Sequence, residues 1–172
     1  LADYANSSSM AFSHYIFWKP VLRGSKFLTQ FLRLKLAADM QSQERQDTKT
    51  LRSLLQQGQM LEVAGYRLNP HVALAIDSMN MNDFLSGLAG TNIAWLEVVS
   101  GGEAEAELPP ASQKVVEKLK ERGTNVQARA VAGDPFWSST EIVVNHELIR
   151  TTTQVLAARS SPCAAPNVSA SA

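Results

Sequence analysis

The chain has 172 residues, of which 45% are hydrophobic and 19% are charged, and its formal net charge is zero. These values are ordinary for one soluble globular domain, and the neutral balance gives no reason to expect nucleic acid as a partner. The single cysteine, Cys163, excludes an intramolecular disulfide and a cysteine metal site, and no metal-ligand spacing or phosphate-binding motif implies a cofactor.

The first part of the chain predicts a strand followed by a helix. Leu1, Tyr4 and Ala5 have the spacing of one helix face, as though that helix began earlier. The aromatic and β-branched run at 12–18 predicts a buried strand that ends before Pro20. A helix is then predicted over 25–40, with Ser25 as its N-cap and apolar residues at helical spacing.

The next segment predicts small elements with clear turn and cap signals. Residues 50–58 predict a short helix closed by glycine. Residues 60–68 alternate imperfectly and predict either a strand pair or an extended segment. Asn69 followed by Pro70 predicts a helix start, because proline is favoured at the first helical position.

The second half alternates strands and helices. The apolar run at 91–100 predicts a central parallel strand, and an acidic loop follows it. An amphipathic helix is predicted over 111–123 and a strand over 125–133. The last helix is predicted over 139–157, capped by Ser139 or Thr140, before a disordered tail over 158–172.

Strand, helical insert, strand, helix, strand and helix in this order predict an α/β fold with a parallel sheet. We expect residues 1–157 to form one partial domain with an insert at about 24–90. Three strands make a small parallel sheet with exposed edges, so the sheet is predicted to be incomplete and the chain to be part of a longer protein.

Several strings resemble a known family. They are "FWKPVLRGSKFLTQFLRLKLA", "EVAGYRLNP", "AWLEVVS", "LPPASQKV" and "VAGDPFWSSTEI". Together they resemble the exosortase A system-associated hydrolases of the second type, which have the α/β-hydrolase fold. The resemblance implies a serine-hydrolase fold encoded beside genes for bacterial exopolysaccharide synthesis and envelope protein sorting, with ester or acyl substrates. It implies that this chain matches the C-terminal part of such proteins.

The α/β-hydrolase order is nucleophile, acid, histidine, and the chain has no Gly-x-Ser-x-Gly motif for the nucleophile. The serines at 7–9 lack flanking glycines and precede a strand, so they are predicted to be loop or helix-end residues. In the acidic loop, Glu105 occupies the position of the acid, and Glu103 or Glu107 could replace it. The competing interpretation is a solvated acidic loop without a catalytic role.

The loop after the last strand carries the histidine in hydrolases of this fold. Here the letters are Asp134, Pro135, Phe136 and Trp137, so Pro135 occupies the histidine position and cannot transfer a proton. The stiff ring and the two aromatics would still shape the loop. The remaining histidines are not expected to replace the missing base: these are His14, His71 and His146. The chain alone is therefore predicted to be inactive.

The helix at 25–40 corresponds to the lid region of hydrolases. Basic residues accumulate there without an acid before Asp39, which predicts either a packed amphipathic helix or contact with a membrane surface or lipid-like substrate. Without a signal peptide or an apolar run of ~20 residues, the chain is predicted to be cytoplasmic. Three functions stay open: an ester or acyl hydrolase, a non-catalytic binding or scaffolding member of the fold, and a membrane-associating module.

Overall fold

The computed structural model describes residues 12, 14–38, 47–100, 107–134 and 142–159. Over these residues the chain forms two compact units. The helical unit lies within Val21–Ala89, and the sheet unit combines Phe12–Pro20 with the segment that begins at Gly90. The range of the helical unit lies close to the predicted insert, whereas the single partial domain over 1–157 stays a prediction.

The described elements follow each other as strand, helical segment, strand, helix, strand and helix. In chain order they are β1 (His14–Trp18), α1 (Gly24–Ala38), α2 (Thr48–Gln56), β2 (Leu61–Val63), β3 (Tyr66–Leu68), α3 (Pro70–Ser78), α4 (Met81–Phe84), a 3₁₀ helix (Leu85–Leu88), β4 (Asn92–Val99), α5 (Pro110–Glu121), β5 (Asn125–Ala132) and α6 (His146–Arg159).

The sheet unit is built on three parallel strands in the order β1-β4-β5. Ile16 of β1 pairs with Ala94 of β4, and Trp95 pairs with Ala128 of β5. The two strands of each pair need a crossover connection because they run in the same direction. The predicted α/β class with a parallel sheet is confirmed, and the hydrolase fold within that class stays a prediction.

Helices pack on both faces of β4, as its continuous apolar run predicts. On one face, Leu96 and Val98 form a buried cluster with Val131 of β5 and Leu148 of α6. On the other face, Glu97 receives a hydrogen bond from Ser112 of α5. The strand is buried from both sides, so a polar side chain inside it must find its partners within the protein.

The burial predicted for the first strand is wrong. In β1 only Tyr15 is buried, whereas Ile16 and Trp18 are 37% and 46% exposed. The strand lies at the edge of the described sheet, and its Tyr15 and Phe17 rings stack with centroids 6.1 Å apart. An aromatic and β-branched composition is favoured in strands generally, so it does not distinguish an edge strand from a central one.

The helical unit packs α1, α2, α3 and the β2–β3 hairpin around an aliphatic core. The buried members are Leu28, Leu32, Leu51, Leu55, Leu61, Val63 and Ala73. Helix α1 begins at Gly24, so the N-cap predicted at Ser25 is wrong. A Cβ on Gly24 would lie 1.6 Å from the Ile76 carbonyl oxygen, and the Gly24 amide donates to the Met79 carbonyl at 2.9 Å. Close approach to the end of α3 therefore requires glycine at this position.

The hairpin and the next helix start where their turn and cap signals predict. Leu61 pairs with Leu68 and Val63 with Tyr66 in antiparallel register, which confirms the strand pair. The connecting Ala64 and Gly65 have φ of 50° and 82°, and two positive values are typical of a type I′ turn. Asn69 caps α3 by accepting from the His71 amide at 2.9 Å.

The start predicted for the last helix is wrong. Residues 142–145 are not helical, and α6 begins at His146, where the Asn145 side chain accepts from the Leu148 amide at 2.9 Å. The β-branched run at 142–144 prefers extended backbone, and asparagine is a strong N-cap. His146 is thus the first residue of α6, not a residue two turns inside it. The helix also includes residues 158 and 159, so the start predicted for the tail, residue 158, is too early. No described helix is long and apolar enough to cross a membrane.

Candidate functional site at the carboxyl ends of the parallel strands

The two loops expected to carry catalytic residues begin at neighbouring points of the sheet. The Gly133 amide, just after β5, donates to the Val99 carbonyl at the end of β4 at 3.1 Å. In open α/β sheets, ligands bind beside the carboxyl ends of the strands. This edge is therefore the candidate functional site. Glu105 and Pro135, with Glu103, Phe136, Trp137 and the serines at 7–9, lie outside the described residues.

The loop that carries Pro135 has its two ends in contact. Gly133 has a φ of 151°, and a Cβ there would lie 2.2 Å from Asn145 Nδ2. That nitrogen is buried and has no hydrogen-bond partner among the described residues, while Oδ1 of the same side chain caps α6. Asp134 lies exposed at the start of this loop. The described residues Gly133 and Asn145, which lie on either side of residues 135–141, are therefore in contact.

A buried carboxylate lies in β4, close to this edge. Glu97 is 2% exposed, and its Oε1 accepts hydrogen bonds from Ser112 Oγ and, at 3.2 Å, from Trp95 Nε1. Lys19 Nζ lies 3.0 Å from Oε2. That contact does not have hydrogen-bond geometry, and no other described donor reaches Oε2. The Lys19 ammonium is therefore the charge that compensates the Glu97 carboxylate.

The position of Lys19 is set by the end of β1. Its φ is 44°, in the left-handed region, and its amide donates to the Leu96 carbonyl at 2.8 Å. Proline follows, which disfavours right-handed helical backbone at the residue before it. This geometry turns the chain out of the sheet while the Lys19 side chain, 37% exposed, reaches back to Glu97.

The Glu97 cluster, defined as Glu97, Lys19, Ser112 and Trp95, has the geometry of a structural ion pair. Ser112 Oγ donates to Glu97 Oε1, but Ser112 is 3% exposed, so its hydroxyl is shielded from a substrate. His14 pairs with Asn92, five residues before Glu97, or about 16 Å away at ~3.3 Å per residue. His146 is exposed at the start of α6, and His71 is exposed in α3 of the helical unit.

Sequence reasoning missed the Glu97 cluster. The signal was a lone acid inside the strand "NIAWLEVV", where a buried carboxylate requires a cation and hydrogen-bond donors. Lys19 was a candidate for this cation, because it directly follows β1, which is the strand beside β4. The third member, Ser112, follows two prolines and an alanine, and nothing in its spacing indicates that it faces a strand.

Among the described residues, α1 and its neighbours line two of the surface depressions. One is apolar, of about 270 Å³, and is lined by Val21, Gly24, Phe27, Ile76, Met79, Met81 and Phe84. The other, of about 330 Å³, is lined by Ser25, Lys26, Thr29, Gln30, Arg33 and Arg52. Phe27 and Leu34 are 44% and 52% exposed on α1. The predicted helix is confirmed over Gly24–Ala38, and its contact with a membrane stays a prediction.

Among the described residues, no three His, Cys, Asp or Glu side chains are grouped closely enough to hold a metal ion. No protein-family model matches this chain, no curated protein matches it, and no solved structure matches it. The resemblance to exosortase A system-associated hydrolases therefore stays a prediction made from sequence segments.

Proposed function

We propose that this chain belongs to an α/β-hydrolase-type protein that acts on ester or acyl groups in a pathway linked to exopolysaccharide and envelope protein sorting. The observation that carries the proposal is the connectivity of the sheet unit. A strand leads into an inserted segment, and the chain then returns as a neighbouring parallel strand, a helix, a further parallel strand and a helix. Hydrolases of this fold carry their acid and histidine on the loops after the last two strands.

In this proposal Glu105 is the acid that would orient an imidazole, and Pro135 marks the position that an imidazole normally fills. The backbone contact between Gly133 and Val99 supports this pairing, because the two loops leave the sheet beside each other. The sequence has no Gly-x-Ser-x-Gly motif. Residues 1–172 alone are therefore inactive toward esters in this proposal.

A non-catalytic binding or scaffolding role is the second candidate. Two features favour it: the chain has a proline at the position where the resemblance leads us to expect the histidine, and Ser112, whose hydroxyl donates to Glu97, is buried in α5. Proline has no titratable group, so a protein that relies on this position for its base loses general base catalysis, which contributes typically 10²–10⁴-fold to rates.

Labelling with a fluorophosphonate, which reacts with activated serines, separates the two candidates when applied to the product of the complete gene. Labelling together with hydrolysis of p-nitrophenyl butyrate supports the hydrolase. Absence of both, with saturable binding of an acylated sugar in calorimetry, supports the binding role. Absence of labelling, hydrolysis and binding removes both proposals.

Replacing Pro135 sharpens the test. In the hydrolase proposal, Pro135→His raises the ester hydrolysis rate of the complete gene product, whereas Pro135→Ala, the matched control, leaves it unchanged. Glu105→Gln in the Pro135→His background should reverse the gain, because the imidazole then loses its orienting carboxylate. If Pro135→His and Pro135→Ala behave alike, Pro135 does not occupy the histidine position.

A further inference from the structure

We infer that the cavity formed by α1 and α2 is a binding site for a phosphate-type anion, carried by a soluble ligand or by a lipid headgroup. The cavity is lined by Ser25, Lys26, Thr29, Gln30, Arg33 and Arg52. All six side chains are polar, three are cationic and none is acidic. The inference concerns the helical unit alone and does not rest on the proposed hydrolase activity.

One helix face supplies five of the six lining residues. Positions 25, 26, 29, 30 and 33 recur at the three- and four-residue spacing that places side chains on one side of a helix. Lys26 and Arg33 are seven residues apart, or about 10 Å along the axis. The opposite side of α1 buries Leu28 and Leu32 in the aliphatic core of the helical unit. The cationic face is therefore held in place by the packing of the other face.

Arg52 forms the wall of the cavity and is fixed by four contacts. Its Nη1 donates to both oxygens of Asp77, at 2.5 and 2.7 Å, and its Nη2 donates to the Ser25 carbonyl and to Thr29 Oγ1, at 2.6 and 2.7 Å. Asp77 compensates the charge of Arg52. The guanidinium therefore sets the shape of the cavity and fixes the first turns of α1 against α2.

Lys26 and Arg33 carry the positive charge of this face that no acid among the described residues compensates. Both are exposed, and neither makes an ion pair with a described acidic residue. An anion between them would receive charge-assisted hydrogen bonds, with the Gln30 amide and the Ser25 hydroxyl as further donors. A phosphate group, which has several acceptor oxygens and up to two charges, matches such a set of donors better than a single carboxylate does.

The cavity is large enough for more than a phosphate group, since its volume is about 330 Å³. The cavity therefore suits a phosphate monoester or diester, whose substituent would occupy the remaining space. A soluble sugar phosphate and a phospholipid headgroup share this chemistry.

Titration of the full chain with inorganic phosphate and with glycerol 3-phosphate, followed by amide NMR, tests the inference. We expect saturable shifts at Lys26, Thr29, Gln30 and Arg33. The variant Lys26→Gln/Arg33→Gln should weaken binding about tenfold or more, because it removes two charge-assisted contacts. The matched control Lys114→Gln/Lys120→Gln, which removes two exposed cations from α5, should bind like the parent.

Sedimentation with phosphatidylcholine vesicles, with and without phosphatidic acid, distinguishes the two sources. Binding of glycerol 3-phosphate without vesicle binding supports a soluble ligand, and vesicle binding that Lys26→Gln/Arg33→Gln abolishes supports a headgroup. The inference is overturned if neither probe binds, or if the α5 control weakens binding as much as the α1 variant, because binding would then follow overall charge. Circular dichroism of both variants confirms that loss of binding is not loss of fold.

Discussion

The two units of this protein differ in how deeply they bury their charged side chains. The helical unit buries an aliphatic core and keeps its Arg52–Asp77 ion pair near the surface, with side chains 24% and 21% exposed. The sheet unit places the carboxylate of Glu97, 2% exposed, in the middle of its central strand. A partly exposed pair can shape a site that a ligand enters, whereas the buried Glu97 carboxylate can only interact with its neighbours inside the protein. The comparison is consistent with a structural role for the Glu97 cluster and with the anion site that we propose beside Arg52.

The largest expected effect comes from a substitution at the close contact between the start of α1 and the end of α3. Gly24→Ala places a methyl group against the Ile76 backbone, which cannot rotate away as a side chain would. We expect the free energy of unfolding in urea to fall by at least about 3 kcal/mol, the upper range for overpacked sites. Gly58→Ala is the control, because its φ is 81° and no atom lies within 4 Å of the added Cβ. It should cost only the left-handed backbone penalty of about 1–2 kcal/mol. Equal losses would contradict the steric account.

The next effect concerns the buried charge of the sheet unit. Lys19→Met leaves the Glu97 carboxylate without a compensating cation, and we expect a loss of about 2 kcal/mol. This is below the ~3–5 kcal/mol of a fully buried pair because the Lys19 side chain is 37% exposed. In a double-mutant cycle, Lys19→Met/Glu97→Gln should recover most of the loss. An additive double variant would show that Lys19 and Glu97 do not interact.

A smaller loss of stability is expected for Arg52, which makes four side-chain contacts, and no loss for Arg150, which is an exposed surface arginine. Arg52→Lys cannot keep the contacts to Asp77, Ser25 and Thr29 at once. We expect a loss of about 1–2 kcal/mol, because lysine keeps the charge but loses one or two hydrogen bonds of ~1 kcal/mol each. Arg150→Lys in α6 is the matched control, since Arg150 pairs with Glu147 at a side-chain exposure of 63%. It should not change the urea midpoint measurably. A comparable loss in both variants would remove the special role of Arg52.

The smallest effect is a pH dependence at two helix starts, one in each unit. The Thr50 amide holds the pKa of Asp47 below its ordinary value, and the hydrogen bond from Arg150 lowers the pKa of Glu147. Both groups thus stabilise the fold above their unfolded-state pKa, and this stabilisation is lost as the pH falls through their lower folded-state pKa, below about pH 4. Asp47→Asn and Glu147→Gln should each make the free energy of unfolding fall less between pH 5 and pH 2. If a variant loses as much free energy of unfolding as the parent between pH 5 and pH 2, the replaced carboxylate does not contribute to the pH dependence.

Local signals in the sequence predict the local parts of this fold. Asn69 with Pro70 predicts the start of α3, and residues 60–68, which predict a strand pair or an extended segment, form the strand pair around the type I′ turn at Ala64 and Gly65. Caps and tight turns depend on neighbouring residues, so a sequence window contains the relevant atoms. The same holds for the apolar run of β4, whose burial on both faces follows from its composition.

The remaining features depend on residues that are distant in sequence. The exposure of Ile16 and Trp18 depends on the place of β1 at the edge of the described sheet, which its composition does not encode. Gly24 begins α1 because α3 approaches it, so Ser25 loses the capping position that its type favours. The link from Glu97 to Ser112 joins a strand to the next helix and has no local signature.

Contact between the two ends of the Pro135 loop has a consequence for how this corner can change over evolution. Gly133 and Asn145, two described residues on either side of this segment, already lie in contact, so the ends of the segment are held together. Doubling the length of such a segment costs only about 0.6 kcal/mol of closure entropy. New side chains, or a whole new reactive group, can therefore be introduced there by mutation while the underlying scaffold persists unaltered.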